Sequence, residues 1–319
     1  MQEIKLKPTR DGAGEALREL GRKNKNVVVL SADLTDSTRA AWFKKEFPEK
    51  FIGFGVAEQD MFGTAAGLAL CGKIPFACTF GVFASGRAWD QIRVSVAYMD
   101  LNVKVIGTHG GITVGEDGAT HQALDEIALM RILPNMAVII PSDAIEAYKA
   151  TMQAAEYPGP VYIRLGRNPA PVLTKESDKF DIGKAVLYKD GKDITIIACG
   201  HSLYEAKKAG ETLEKDGINA RIINLHTPKP LDEALILKAA RETGAIVTVE
   251  EHTIYAGMGS AVAEFLSQNH PVPVKMVGIK DVFGESGDPL ELLKYFNLTT
   301  EDVVAAAREA LKMKKIKRS

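Results

Sequence analysis

Cysteine is scarce. Three residues, Cys71, Cys78 and Cys199, stand in a chain of 319. They are too few and too scattered for a disulfide scaffold or a zinc module, and they point to a reducing, cytoplasmic setting. Long apolar runs are absent as well. No stretch approaches the roughly 20 residues that a membrane-spanning helix needs, and the opening MQEIKLKPTRDG lacks the apolar centre of a secretory signal. No charge of either sign dominates. Lys and Arg number 40 against 41 Asp and Glu, a formal net charge of −1, so no field exists to draw nucleic acid or an anionic membrane. Neither partner is expected. The basic C-terminal KMKKIKRS reads as a solvated helix end. Fixed short repeats and low-complexity tracts are also missing.

What is present is an ordinary globular mixture, 46% hydrophobic and 25% charged, of a length that favours about two domains. Apolar β-rich runs alternate with helical patterns. Residues 26–33, 51–55, 76–80, 103–109, 136–142 and 161–166 read as strands, with helices over 11–23, 57–72, 84–99, 122–132 and 143–156 between them. Most of the strands are continuous Val/Ile runs, which suits parallel strands covered on both faces. The pattern is that of an α/β fold with a parallel sheet. The segment RNPAPVLTKESDKFD (167–181) is rich in Pro and charge and reads as a linker. A second series follows, with strands over 194–200, 220–227, 245–251 and 274–280 and helices over 202–216, 231–243, 258–268 and 300–313. The expected division is a first domain over 1–170, a linker over 171–185 and a second domain over 186–319.

Several motifs have two readings. In FIGFGVAEQDMFGTAAGLAL (51–70) a strand breaks into Glu58-Gln59-Asp60 and a small-residue helix follows. Local rules make this a helix start, where each acid is worth about 0.3–1 kcal/mol against the macrodipole; alternatively Glu58 is aimed at a ligand. THGGITVGEDGATHQ (108–122) packs four glycines, two histidines and two acids into one loop after a strand. A structural glycine loop, a metal site and a polar site for a hydroxylated or phosphorylated small molecule all remain open, although the spacing of His109 and His121 fits no zinc motif. In TFGVFASGRAWDQ (79–91), Phe80 and Phe83 are either core packing or a flat slot for an aromatic ring. Gly257-Met258-Gly259 resembles a dinucleotide turn, but Val262 stands where a third glycine belongs, so tight helix packing is the stronger reading. SADLTDS (31–37), Glu58, His109 and Arg167 all fall at strand ends. Ends of adjacent strands lie about 5 Å apart, so these groups are expected on one rim.

Taken in order, SADLTDS, GVAEQDM, TFGVFASGRAWDQIR, HGGITVGEDGATHQ and VYIRLGR closely resemble the C-terminal half of transketolase, a thiamine diphosphate enzyme. The resemblance spans nearly the whole chain. It implies a thiamine diphosphate-binding pyrimidine-type domain with a parallel sheet, then a smaller α/β transketolase C-terminal domain with VEEH at a strand end and a GMGSA turn. The GDG…N motif with which the family holds Mg2+ and the diphosphate is not found here. The implied protein is therefore the C-terminal subunit of a split transketolase. Its N-terminal partner would be a separate polypeptide that holds the Mg2+, in an assembly of two copies of each chain.

The resemblance also implies roles. Glu58 would hold N1′ of the aminopyrimidine and so activate the cofactor. Phe80 and Phe83 would pack on that ring, and Asp33 would help position it. Arg10, Ser37, His109 and Arg167 would bind the sugar phosphate, two arginines suiting a dianion. Asp117 would recognise a substrate hydroxyl, and His121 would act near the reacting carbons. No metal ligand is implied in this chain. Two positions depart from the family: Gly86 stands where a third aromatic is common, and Gly110-Gly111 replaces a common Asp-Ser. The activity implied is transfer of a two-carbon ketol unit between sugar phosphates, as in the pentose phosphate pathway. The rivals are the beta subunit of a 2-oxo acid dehydrogenase and a non-catalytic dimerisation homologue.

Overall fold

Two sheets organise the computed structural model, which describes residues 5–316. The first part of the chain runs β1 (Leu6–Pro8), α1 (Thr9–Lys23), β2 (Val27–Ala32), α2 (Ala40–Glu46), β3 (Phe51–Phe54), α3 (Glu58–Leu70) and β4 (Ile74–Phe80). It continues through α4 (Trp89–Gln91), β5 (Lys104–Thr108), α5 (Glu126–Arg131), β6 (Ala137–Ile139), α6 (Ala144–Glu156), β7 (Val161–Arg164) and β8 (Pro169–Pro171). Six strands form a sheet in the order β3-β2-β4-β5-β7-β6, every pair parallel. All positions of β2, β5 and β7 are buried, which is why their sequences do not alternate. Helices cover both faces. α3 buries Glu58, Met61, Phe62, Ala65 and Ala66, the three-and-four spacing of one helical face. α1 meets α6 so closely that a Cβ on Gly12 would lie 2.0 Å from the carbonyl oxygen of Ala144.

The second part runs β9 (Val186–Lys189), β10 (Ile194–Ala198), α7 (Ser202–Lys215), β11 (Ala220–Asn224), α8 (Glu233–Thr243), β12 (Ile246–Thr253), α9 (Met258–Asn269), β13 (Val274–Ile279), α10 (Pro289–Tyr295) and α11 (Thr300–Ile316). Its sheet has the order β13-β12-β10-β11-β9, parallel except for β9, which lies antiparallel on β11. The α/β architecture expected from the sequence is therefore present, as a six-stranded parallel sheet followed by a mixed five-stranded one. The two sheets share a core: Val138, Ile140 and Tyr162 belong to the same apolar cluster as Ile197, Cys199, Ile223 and Leu225. Main-chain bonds reinforce the joint. The N–H groups of Val138 and Ile140 donate to the carbonyls of Lys229 and His226, both at 2.7 Å.

Several details differ from the expectation. The helical pattern over 84–99 is not one helix: π-type turns at Phe83–Arg87 and Ile92–Ala97 flank the short α4. In the first of them, the Ser85 hydroxyl donates to the Gly81 carbonyl at 2.9 Å and competes with regular helical bonding. The helix expected over 122–132 starts only at Glu126, because Gln122 is engaged elsewhere, donating to the carbonyls of Ile112, Gly115 and Glu285. The segment expected as linker contains β8, which pairs antiparallel with β1 as a two-stranded ribbon. Prolines are tolerated there because the ribbon has no central strand. Short elements that carry little pattern, α2, β9 and α10, were not expected. The end of the basic tail, residues 317–319, lies outside the described residues.

Candidate active site

Parallel strands deliver their following loops to one edge of the sheet, and here neighbouring strands do so with polar and aromatic residues. Asp33 and Ser37 follow β2, Glu58 follows β3, Phe80 to Arg87 follow β4, His109 to His121 follow β5 and Arg167 follows β7. This is the carboxyl rim where α/β sheets bind ligands. Two non-glycine residues on it, Asp33 and His109, are held at φ 57° and 60°. That left-handed backbone is uncommon outside glycine and concentrates at functional sites.

Glu58 opens α3 and is 1% exposed. Its carboxylate caps no helical N–H; both oxygens instead accept from Nη1 of Arg87 at 2.9 Å. The Arg87 guanidinium also lies over the ring of Phe83, 4.3 Å from its centroid. Phe83 stacks against Phe80 at 5.7 Å, and Phe80 stacks against His109 at 3.7 Å. His121 approaches Phe83 edge-on at 5.5 Å and Phe80 at 6.1 Å. A chain of contacts thus runs from the buried acid through an aromatic wall to both histidines. The wall is open at Gly86, where an added Cβ would meet nothing within 4 Å. A buried carboxylate beside stacked rings suits a flat heteroaromatic group that turns a ring nitrogen toward the acid.

The other side of the rim is cationic. Arg10 donates through Nη1 to the carbonyl of Ser37 at 2.9 Å, while its buried Nε has no partner among the described residues. Arg167 pairs with Asp117 at 3.2 Å and donates to the carbonyl of Val114 at 3.1 Å. Arg39, at φ 67°, pairs with Asp11 at 2.6 Å and adds to the field at Arg10. Burial, then Arg10 and Arg167, push the imidazole of His109 down to about 3. His109 is therefore neutral at physiological pH, with its Nδ1 bonded to the Thr108 hydroxyl at 2.9 Å. Arg10, Arg167 and Arg39 therefore supply positive charge here that the His109 imidazole does not. An under-bonded arginine beside a second one suits a phosphate or similar oxyanion.

The structure thus joins Glu58, Phe80, Phe83, His109, His121, Arg10, Ser37, Arg167 and Asp117 through contacts or short-range fields. Asp33 stands apart: it is exposed, and its carboxylate makes no hydrogen bond or ion pair among the described residues. Arg87 and Arg39 were missed by the sequence reading. Arg87 had a signal, since it falls four residues after Phe83, one helical turn on. The Gly257–Gly259 turn is occupied by protein. The N–H groups of Met258 and Gly259 donate to the buried carboxylate of Glu250 at 2.7 and 2.8 Å, which closes that helix end to a phosphate. Among the described residues, no group of three or more His, Cys, Asp or Glu is placed to hold a metal ion, and no helix is long and apolar enough to cross a membrane.

Comparison with known proteins bears directly on this rim. Residues 6–171 match the family model "Transketolase, pyrimidine binding domain", and residues 183–303 match "Transketolase, C-terminal domain". A Methanocaldococcus jannaschii protein described as a transketolase C-terminal section is 50% identical, covering 96% of this chain and 97% of its own. A Clostridium protein described as a 6-deoxy-6-sulfo-D-fructose transketolase subunit is 43% identical, covering 98% of each chain. A solved structure described as a split-gene transketolase, inactive β4 tetramer, superimposes with a TM-score of 0.91 at 50% identity, over 96% of this chain and 99% of that one. The chain belongs to the transketolase family, as a C-terminal section made of the pyrimidine-binding and C-terminal domains.

Proposed function

We propose that this chain is the C-terminal subunit of a two-chain, thiamine diphosphate-dependent transketolase that moves a two-carbon ketol unit from a ketose phosphate to an aldose phosphate. One observation carries the reading: a buried carboxylate, two stacked phenylalanines and an under-bonded arginine beside a second one share a single rim. Family membership implies the cofactor. Relatives named as transketolase subunits match this chain over nearly their whole length, which supports a separate N-terminal partner. A related chain described as an inactive β4 tetramer is consistent with a half that needs that partner. Relatives named for a sulfosugar and for apulose 4-phosphate match this chain over nearly its whole length, so the match leaves the choice of sugar open.

When bound, thiamine diphosphate supplies the nucleophilic carbon and the electron sink for carbon–carbon cleavage. The residues of this chain fit its aminopyrimidine half. Glu58 would hold a proton at N1′ of that ring, and Arg87 would share its carboxylate. Phe80 and Phe83 would flank the ring and keep water from it, and Asp33, exposed just after β2, would help position the cofactor. His121 stands edge-on to both rings, where it exchanges a proton with the sugar near the reacting carbons. Arg10 and Arg167, with Ser37 and the neutral His109, bind the phosphate. Asp117 accepts from a sugar hydroxyl and so favours one stereochemistry. The diphosphate and Mg2+ are assigned to the N-terminal subunit, in an α2β2 assembly. Free thiols at Cys71, Cys78 and Cys199 suit a cytoplasmic enzyme.

Calorimetric titration with thiamine diphosphate and Mg2+ tests the division of labour. The mixture of this chain with its N-terminal partner is expected to bind, and this chain alone to bind weakly or not at all. Binding by this chain alone as tight as by the mixture overturns the two-chain reading.

A further inference from the structure

Between the domains lies a cluster of buried charges with no part in the chemistry proposed above. Arg164, at the end of β7, is 6% exposed; its Nε pairs with the fully buried Glu126, and its Nη2 donates to the main-chain carbonyl of Glu251 at 2.7 Å. Glu251 belongs to β12 in the second domain and is 4% exposed. Its carboxylate crosses the domain boundary and accepts from the N–H of Thr113, in the loop between β5 and α5. That loop comes in without clearance. A Cβ on Gly110 would lie 2.6 Å from Arg164 Nε, and one on Gly111 would lie 2.4 Å from Glu251 Oε1. The paired glycines leave room for these two side chains, and Gly111, at φ 92°, also needs a glycine's backbone freedom.

From Thr113 the bonding leads straight to the rim. The Thr113 carbonyl accepts from Asn168 at 2.6 Å, the Val114 carbonyl from Arg167 at 3.1 Å, and Arg167 reaches Asp117 at 3.2 Å. On the other side of the turn stands His109, in its left-handed backbone. We propose that Glu251 is a positioning residue from the second domain, which fixes loop 109–118 so that Arg167 and Asp117 face the sugar phosphate. The assignment of that ligand rests on the function proposed above; the fixing of the loop does not. A carboxylate on an amide N–H makes a charge-assisted bond, stronger than a neutral acceptor would make. Burial pushes the Glu251 carboxyl up, and the nearby Arg164 charge and the Thr113 N–H offset part of that cost.

Hydrogen exchange read by mass spectrometry on the full chain tests this directly. Glu251→Ala is expected to speed exchange of the peptide over 110–118 by roughly ten-fold, with peptides of α3 and β4 unchanged. Glu251→Gln, whose amide oxygen can still accept from Thr113, is expected to stay within about three-fold of the parent. With the N-terminal subunit present, Glu251→Ala is expected to raise KM for a sugar phosphate about ten-fold and to leave kcat within about three-fold. Unchanged exchange at 110–118, or acceleration spread evenly over the chain, overturns the positioning role. Faster loop exchange with an unchanged KM also overturns it, since loop order would then not matter to the substrate. Absence of ketol transfer in the parent assembly counts against the proposed function, and the exchange result still decides whether Glu251 holds the loop.

Discussion

Nη1 of Arg87 lies 2.9 Å from both carboxylate oxygens of Glu58. The acid is 1% exposed, while the Arg87 side chain is 43% exposed, so the pair joins a buried charge to one at the surface. Removing Arg87 leaves Glu58 buried with no cation. Because half of the pair is solvated, Arg87→Ala is expected to cost about 1–2 kcal/mol, less than for a fully buried pair. In a double-mutant cycle by urea unfolding at pH 8, Glu58→Gln should cancel most of that loss. Additive effects would mean that the two side chains do not interact. In the assembled enzyme, Glu58→Gln is expected to keep the assembly and lose most turnover, and near-normal kcat would refute the proton role.

The cationic side of the rim predicts a substrate-specific loss. Arg10→Ala and Arg167→Ala should each raise KM for a phosphorylated acceptor by about 10- to 100-fold, as expected for loss of a charge-assisted contact of about 1.5–3 kcal/mol. An acceptor without phosphate should be affected little. Equal losses for both acceptors would place the arginines away from the phosphate.

His109 predicts a pH effect with a definite sign. Its folded value is pushed down to about 3, against about 6.5 in an unfolded chain. The unfolded state therefore binds the extra proton between these values, and the contribution of His109 to stability is lost as pH falls from 6.5 toward 3. Relative to a His109→Gln variant, the parent should lose about 2 kcal/mol between pH 7 and pH 5. Urea unfolding at the two values measures this. A stability difference that is flat with pH would show that the imidazole titrates normally.

Packing of α1 on α6 is tested at Gly12. The Ala144 carbonyl oxygen would stand 2.0 Å from any Cβ there, and a main-chain group cannot turn aside as a side-chain tip can. Gly12→Ala is expected to destabilise by about 2–3 kcal/mol, in the range for overpacking, despite alanine's better helix propensity. An unchanged melting temperature would contradict the close approach.

Much of the fold was legible because burial on both faces writes itself as largely apolar runs that do not alternate. The runs at 26–33, 76–80 and 103–109 became β2, β4 and β5 for that reason. The rim was legible too, since parallel strands send their loops to one edge. Short or irregular elements were not. β1, β8 and β9 span three or four residues, and prolines in β8 argue against a strand. The π-type turns around α4 bury apolar residues at spacings close to those of an α-helix, so periodicity could not tell them apart. In the site, residue types could be named but partners could not. The pairing of Glu58 with Arg87 depends on where the turn after β4 comes to rest. The bond from Glu251 to Thr113 joins residues 138 positions apart in the chain.

The measurement closest to the central claim is ketol transfer by reconstituted chains. This chain, a candidate N-terminal subunit, thiamine diphosphate and Mg2+ are combined with xylulose 5-phosphate and ribose 5-phosphate, and each chain is also assayed alone. Turnover by the mixture, with none from either chain alone, is the predicted result. Full turnover from this chain alone, or lipoamide-linked turnover of a 2-oxo acid in place of ketol transfer, would contradict it.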